Sequence, residues 1–193
     1  MTVGKLRIRA GFVLLVAALV YLDEGYFLWI VFGAALLHEL GHYIPLKLFG
    51  GRVLSLELSG GGLSMEHDAR SSLGYGKELF AVLMGPAVSI GFALLFSLRD
   101  GMITERVAGM CLAHGFFNLL PMRGLDGGRA LEIVLESNGV SSTHTVLRTV
   151  TVVCAVALGI CCIALAVLYR NLSLPLALLY LLMLQKPEKA KIQ

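Results

Sequence analysis

Residues 25–49 read GYFLWIVFGAALLHELGHYIPLKLF, an apolar stretch with ionisable side chains toward its end. About 20 predominantly apolar residues are enough for an α-helix to cross the hydrocarbon core of a bilayer. The stretch also carries His38, Glu39 and His42, and ionisable groups inside a membrane segment are costly and usually functional. It therefore predicts a membrane-spanning helix that contains a functional site.

The composition of the whole chain agrees with a membrane protein. Of its 193 residues, 57% are hydrophobic and 15% are charged, and the mean hydropathy is +0.80. A soluble domain has roughly a quarter of its residues charged. The composition excludes a soluble enzyme, a disordered tail and a nucleic-acid-binding module. The net charge of +3 follows membrane topology and does not indicate a polyanionic partner.

Hydropathy predicts an all-α polytopic membrane protein that forms a single domain over residues 1–193. About six transmembrane helices are expected, of which the first and last are short for a bilayer. Their predicted ranges are 8–22, 25–49, 79–98, 107–121, 149–169 and 172–184. The four cysteines lie in predicted spans and are expected to be packing residues.

The positive charges predict an orientation in the cell membrane. With the N-terminus in the cytoplasm, 13 of the 16 Lys and Arg residues fall in cytoplasmic segments. The other three, Arg99, Arg106 and Arg170, fall outside. Because cytoplasmic loops are enriched in Lys and Arg, we expect six spans with both termini cytoplasmic. The first apolar run is expected to be a retained span, because no small-residue cleavage site follows it.

Two segments between the spans have patterns of their own. Residues 53–59 alternate between apolar and polar side chains, glycines occupy positions 60–62, and residues 63–66 can return as a second strand. We expect a short glycine-rich, membrane-associated β-hairpin whose edge lies against protein, in the interface or along a cavity. Residues 128–147 are expected to begin as a helix with Leu131, Val134 and Leu135 on one face.

The HELGH sequence at positions 38–42 has the spacing of a zinc site. Residues four apart lie on one face of a helix, so His38 and His42 can bind one metal ion. Glu39 can reach a water molecule at that metal, take its proton and pass it to a leaving amine. The alternative is a chance match, or two histidines that are buried and hydrogen-bonded for packing.

A catalytic zinc ion usually has three protein ligands and one open position, so a third ligand must come from elsewhere. Two candidates lie in or near the membrane, His114 and Asp126. Asp126 belongs to NLLPMRGLDGG at positions 118–128, where Pro121 and the glycines allow the chain to turn back toward the membrane interior. Alternatively, Asp126 caps a helix that starts near Gly128, and His114 is a packed histidine.

HELGH in an early span followed by NLLPxxxLDGG resembles the site-2 protease family of intramembrane zinc metalloproteases. The similarity covers most of residues 25–135, and it is greatest to the compact bacterial branch that processes sporulation pro-sigma factors. The resemblance implies that His38, His42 and Asp126 bind one Zn²⁺ ion per chain and that Glu39 activates water. It implies that Asn118 holds substrate or the developing oxyanion; an inter-helix hydrogen bond is the alternative. It also implies that an extended substrate pairs with the glycine-rich strand.

The sequence departs from the family pattern at two positions. Ser89 stands in GPAVS at 85–89 where asparagine is usual, and Gly124 replaces a common proline. We expect neither residue to touch the metal site. His114 has no counterpart in the family pattern.

Together these features predict an intramembrane zinc metalloendopeptidase for regulated intramembrane proteolysis. Its expected partners are the lipid bilayer, a membrane-spanning or membrane-associated protein substrate and, since no sensor domain is evident, a regulatory membrane protein. Cleavage near the cytoplasmic face would release a regulatory product, and the resemblance points to a bacterium. The alternatives are a non-proteolytic membrane metal transporter and an inactive homologue that acts as a binding protein. A metallopeptidase of prenylated chain ends is a weaker alternative.

Overall fold

The computed structural model describes residues 5–8, 26–51, 53–59, 62–67 and 73–169. Five helices are described: α1 (Phe27–Leu48), α2 (Tyr75–Ser97), α3 (Met102–Asn118), α4 (Asp126–Ser137) and α5 (Thr143–Tyr169). Three strands are described: β1 (Lys5–Ile8), β2 (Val53–Ser59) and β3 (Gly62–His67).

Three of the described helices, α1, α2 and α5, are long and apolar enough to cross a membrane. They contain 22, 23 and 27 residues and cover the predicted spans at 25–49, 79–98 and 149–169. These helices support a membrane protein. The expected count of six spans is not confirmed, because the range 172–184 and all of 8–22 except Ile8 lie outside the described residues.

Helix α3 departs from the predicted span at 107–121. It begins at Met102, ends at Asn118 and has 17 residues. At 1.5 Å per residue it is about 26 Å long, slightly less than the roughly 30 Å of the hydrocarbon core. The predicted span extends to Pro121 because it was based on hydropathy. The helix itself ends at Asn118, with Leu119 as its C-cap residue.

The strands form one sheet in the order β1-β2-β3. Strands β2 and β3 are antiparallel, with Leu56 opposite Met65, and they occupy the two segments in which the sequence predicts strands. How this sheet lies relative to a membrane stays a prediction. Strand β1 is parallel to β2, with Lys5 opposite Ser55. The sequence did not indicate β1, because four residues directly before an apolar run are too few to show a strand period.

Helix α2 is the centre of the helix packing. It contacts α1, α3 and α4, and α1 also contacts α3. A core of small residues, Ala34, Ala93 and Cys111, lies where α1, α2 and α3 meet. Small side chains let membrane helices approach closely. All four cysteines are free. Cys111 is fully buried, as expected for a packing residue, Cys154 and Cys162 are half-buried, and Cys161 is exposed.

Helix α4 begins two residues earlier than expected, at Asp126, and its apolar face differs from the predicted one. Ile133 is buried with 1% exposure, whereas Val134 is 40% exposed. Leu131 and Leu135 are half-buried. The face differs because α4 has two neighbours, α2 and α5, whereas the sequence pattern assumed one apolar stripe.

Candidate metal centre

Three ligand atoms from two helices converge at one point. Asp126 Oδ2 lies 2.9 Å from His38 Nε2 and 3.2 Å from His42 Nε2. The two Nε2 atoms are 3.2 Å apart. In a tetrahedral zinc site, ligand atoms about 2.0–2.1 Å from the ion are about 3.3 Å from one another. The triangle of two imidazole nitrogens and one carboxylate oxygen therefore fits a zinc ion, and these three residues could hold one.

A hydrogen bond at Nδ1 of His42 leaves Nε2 to face His38 and Asp126. His42 Nδ1 lies 2.9 Å from the carbonyl oxygen of Ala81 on α2. A carbonyl oxygen only accepts hydrogen bonds, so Nδ1 carries the proton and Nε2 keeps its lone pair. This is the usual arrangement of a metal-binding histidine, whose outer nitrogen donates to a backbone carbonyl or carboxylate.

Ser89 orients His38, and the expectation that it does not touch the metal site was wrong. Its side chain is 1% exposed, and its Oγ lies 3.0 Å from His38 Nδ1. A hydroxyl oxygen can accept a hydrogen bond from Nδ1–H, and in that tautomer Nε2 keeps its lone pair for a metal. The spacing within α2 could have indicated this contact. Ser89 lies four residues after Gly85, so both residues share the face of α2 that meets the histidines.

Glycines in α1 and α2 let these helices meet at the site. A Cβ atom at Gly85 would lie 2.1 Å from His42 Nε2, which no side chain tolerates. A Cβ atom at Gly41 would lie 2.7 Å from the carbonyl oxygen of Met84. The sequence MGP at 84–86 thus provides the space into which the second histidine points.

The LDGG sequence places Asp126 through close backbone packing. Gly124 has φ +85°, a conformation that favours glycine, and the chain turns there before α4 begins. A Cβ atom at Gly127 would lie 2.0 Å from the carbonyl oxygen of Leu119, and one at Gly128 would lie 2.0 Å from that of Met122. The first turn of α4 is therefore held tightly against the segment that leaves α3.

Asp126 does not cap a later helix, as the alternative interpretation would require. It is the first residue of α4, and the preceding N-cap residue, Leu125, makes no side-chain capping bond. Its carboxylate is instead directed at the two histidines. Glu39 is half-buried and directly follows His38 in α1. The expected base is thus the next residue along the helix from one expected ligand.

His114 and Asn118 have roles that the sequence did not settle. The ring of His114 packs edge-on against His38, with 4.6 Å between centroids, so it is a packed neighbour of the His-His-Asp group. Asn118 Nδ2 donates to the carbonyl oxygen of His114 at 3.0 Å. That bond lies within α3, so it is not the inter-helix bond considered as an alternative. The substrate role of Asn118 stays a prediction.

The comparisons with known proteins support a similarity in fold. Neither a protein-family model nor a curated protein matches this sequence. Among solved structures, the site-2 protease from Methanocaldococcus jannaschii is similar, with a TM-score of 0.68 and 21% sequence identity. The match covers 92% of this chain and 87% of that protease. At this identity the similarity concerns the fold, and it agrees with the resemblance carried by HELGH and LDGG. The chain therefore has the fold of a site-2 protease, with a His-His-Asp group that could hold a metal ion.

Proposed function

We propose that the chain is an intramembrane zinc metalloendopeptidase that hydrolyses a peptide bond in or next to a membrane-embedded segment of a protein substrate. One observation carries this proposal: His38, His42 and Asp126 converge within a site-2 protease fold, and Glu39 directly follows His38 in α1. A metal transporter would use the three ligands but has no need for an adjacent base. The position of Glu39 therefore favours hydrolysis.

The donor set suits one zinc ion with an open fourth position. A zinc ion held there would polarise the substrate carbonyl and make water more acidic. Glu39 takes a proton from water as the water oxygen bonds to the carbonyl carbon. It then returns the proton to the amide nitrogen as the carbon–nitrogen bond breaks. The products are a new carboxyl group and a new amine.

Asn118 is proposed to contact the substrate carbonyl or the oxyanion that forms from it. Its amide now donates to the carbonyl oxygen of His114, one turn back in α3. An amide group has two N–H donors, so a second bond to substrate is compatible with the observed one.

The edge position of strand β3 is consistent with the proposed binding of an extended substrate. Strand β3 is at an edge of the described sheet and contacts α1, the helix that carries Glu39. A substrate segment that pairs with this edge would have its helix unwound, which exposes the scissile amide. The membrane location of the sheet is part of this proposal.

The location and partners complete the proposal. Thirteen of 16 Lys and Arg residues favour a multi-pass protein of the cell membrane with both termini cytoplasmic. Cleavage then occurs near the cytoplasmic face and releases a cytoplasmic regulatory product. A regulatory membrane protein is proposed to control access, and the organism is proposed to be a bacterium.

The test compares the wild-type chain with Glu39→Gln in detergent, using labelled single-span peptides with a helix-breaking residue near one membrane face. We expect wild-type protein to cleave and Glu39→Gln to lose about 100- to 10,000-fold in rate, with unchanged zinc content. Glu105→Gln, an exposed carboxylate in the first turn of α3, is the control. Zinc transport into vesicles that persists in Glu39→Gln, with no cleavage by wild type, would favour the transporter.

A further inference from the structure

An ion pair joins α2 to α4 close to the proposed metal centre. Glu78 lies in the first turn of α2 and is 1% exposed. Arg129 Nη2 donates to Glu78 Oε1, and Arg129 Nη1 donates to Glu132 Oε2 at 2.6 Å. A buried carboxylate without a partner is strongly unfavourable, so Glu78 needs this guanidinium. Neither Glu78 nor Arg129 belongs to the proposed ligands or base.

The guanidinium stays charged in this setting. Partial burial alone would lower the pKa of Arg129, but the hydrogen bonds to Glu132 and Glu78 raise it above its usual value. Arginine presents its donors in a rigid planar fork, so it fixes the direction of its partners as well as their charge. The contact therefore constrains how α4 is rotated and how far it lies from α2.

The ion pair lies one helical turn from two contacts of the metal centre. On α2, Glu78 precedes Ala81 by three residues, and the Ala81 carbonyl holds His42. On α4, Arg129 follows Asp126 by three residues. Residues three apart share a face of a helix, so the ion pair lies one turn along α2 from the carbonyl that holds His42 and one turn along α4 from Asp126.

We propose that Glu78 and Arg129 are positioning residues for the metal centre, an inference that rests on the proposed function. Their ion pair holds α4 against α2 so that Asp126 Oδ2 stays beside both histidines. The nonpolar contacts of α4 cannot do this alone, because burial of Ile133 is not directional.

The experiment measures metal binding directly in detergent-purified full-length protein. Zn²⁺ affinity is measured by competition with a chromophoric chelator, and Co²⁺ substitution reports ligand geometry through its visible absorption. We expect Glu78→Gln and Arg129→Met each to weaken Zn²⁺ affinity about 10-fold and to shift the Co²⁺ spectrum. The double variant should be no weaker than either single variant, because both remove one interaction. Arg129→Lys, which keeps the charge without the fork, should retain more affinity than Arg129→Met.

Two controls separate positioning from general stability. Glu105→Gln removes an exposed carboxylate from the first turn of another helix and should change neither affinity nor spectrum. The thermal midpoint of the metal-free protein is measured for every variant. A lowered midpoint with wild-type Zn²⁺ affinity and Co²⁺ spectrum would overturn the inference and leave the proposed function intact. Absence of Zn²⁺ and Co²⁺ binding in wild-type protein would overturn the proposed function and the inference together. If Glu78→Gln does not fold, the comparison of Arg129→Lys with Arg129→Met decides.

Discussion

His42 points its Nε2 atom at a position that only glycine can occupy, since a Cβ atom at Gly85 would lie 2.1 Å away. The histidine is held in this direction by its bond to the Ala81 carbonyl, on the same helix as Gly85. The orientation of His42 on α1 therefore depends on the absence of a side chain at Gly85 on α2. This relationship explains why the sequence needs glycine before Pro86.

Gly85→Ala should remove metal binding, because the new methyl group displaces His42 from the two other ligands. We expect Zn²⁺ affinity to fall on the order of 100-fold or more. Gly91→Ala on the same helix is the matched control, since nothing lies within 4 Å of a Cβ atom there. Elemental analysis and chelator competition check both variants. Zinc retained at wild-type affinity in Gly85→Ala would show that His42 is not a ligand in this orientation.

Ser89→Ala should weaken zinc binding and leave the fold intact. The variant removes the hydroxyl oxygen that lies 3.0 Å from His38 Nδ1, so the ring loses its orientation and its buried N–H loses a partner. Loss of such an outer contact typically reduces metal affinity about 10- to 100-fold. Chelator competition measures the change. Ser97→Ala, which removes an exposed hydroxyl from α2, serves as control. Equal affinities in the two variants would contradict a role for Ser89.

Asp126→Ala and His114→Ala should behave differently although both residues contact His38. Asp126 is a proposed ligand whose Oδ2 lies 2.9 Å from His38 Nε2, so its loss should remove stoichiometric zinc. His114 contributes an edge-on ring contact, so its loss should leave one zinc per chain and reduce affinity less than about 10-fold. Metal content of the two purified variants checks this. Zinc kept without Asp126 and lost without His114 would reverse the assignment of the third ligand.

Gly127→Ala should separate α4 from the end of α3. The methyl group would lie 2.0 Å from the Leu119 carbonyl oxygen, and backbone cannot give way as a flexible side chain can. We expect a lower thermal midpoint together with loss of zinc, because Asp126 moves with the helix. Gly76→Ala, at a helical position with open space, is the control. A thermal midpoint and zinc content equal to those of wild type would show that the close approach is not needed.

The His-His-Asp group could be predicted from sequence because each of its members belongs to a short, regular motif. His38 and His42 are four apart on one helix, and Asp126 follows a proline and a glycine that force a turn. Hydropathy likewise indicated α1, α2 and α5. Contacts between distant segments were not predictable. His38 and Ser89 are 51 residues apart in the sequence, and Glu78 and Arg129 are separated by the same number. The spacing of residues within one helix does not show which other helix packs against it.

Boundaries were less predictable than the elements themselves. Hydropathy continues through Leu119 and Leu120, so the predicted span at 107–121 ran past the end of α3. The face of α4 was misjudged at Val134 because one stripe was assumed where the helix has two packing neighbours.

The parallel pairing of β1 with β2 has a consequence for sidedness. Strand β2 follows directly after the C-terminal end of α1, so β1 lies beside that same end. If α1 crosses the bilayer, residues near the amino terminus and the segment after HELGH must face one compartment. Cysteines introduced at position 5 and at position 47, in the last turn of α1, should then react with a membrane-impermeant thiol reagent from the same side.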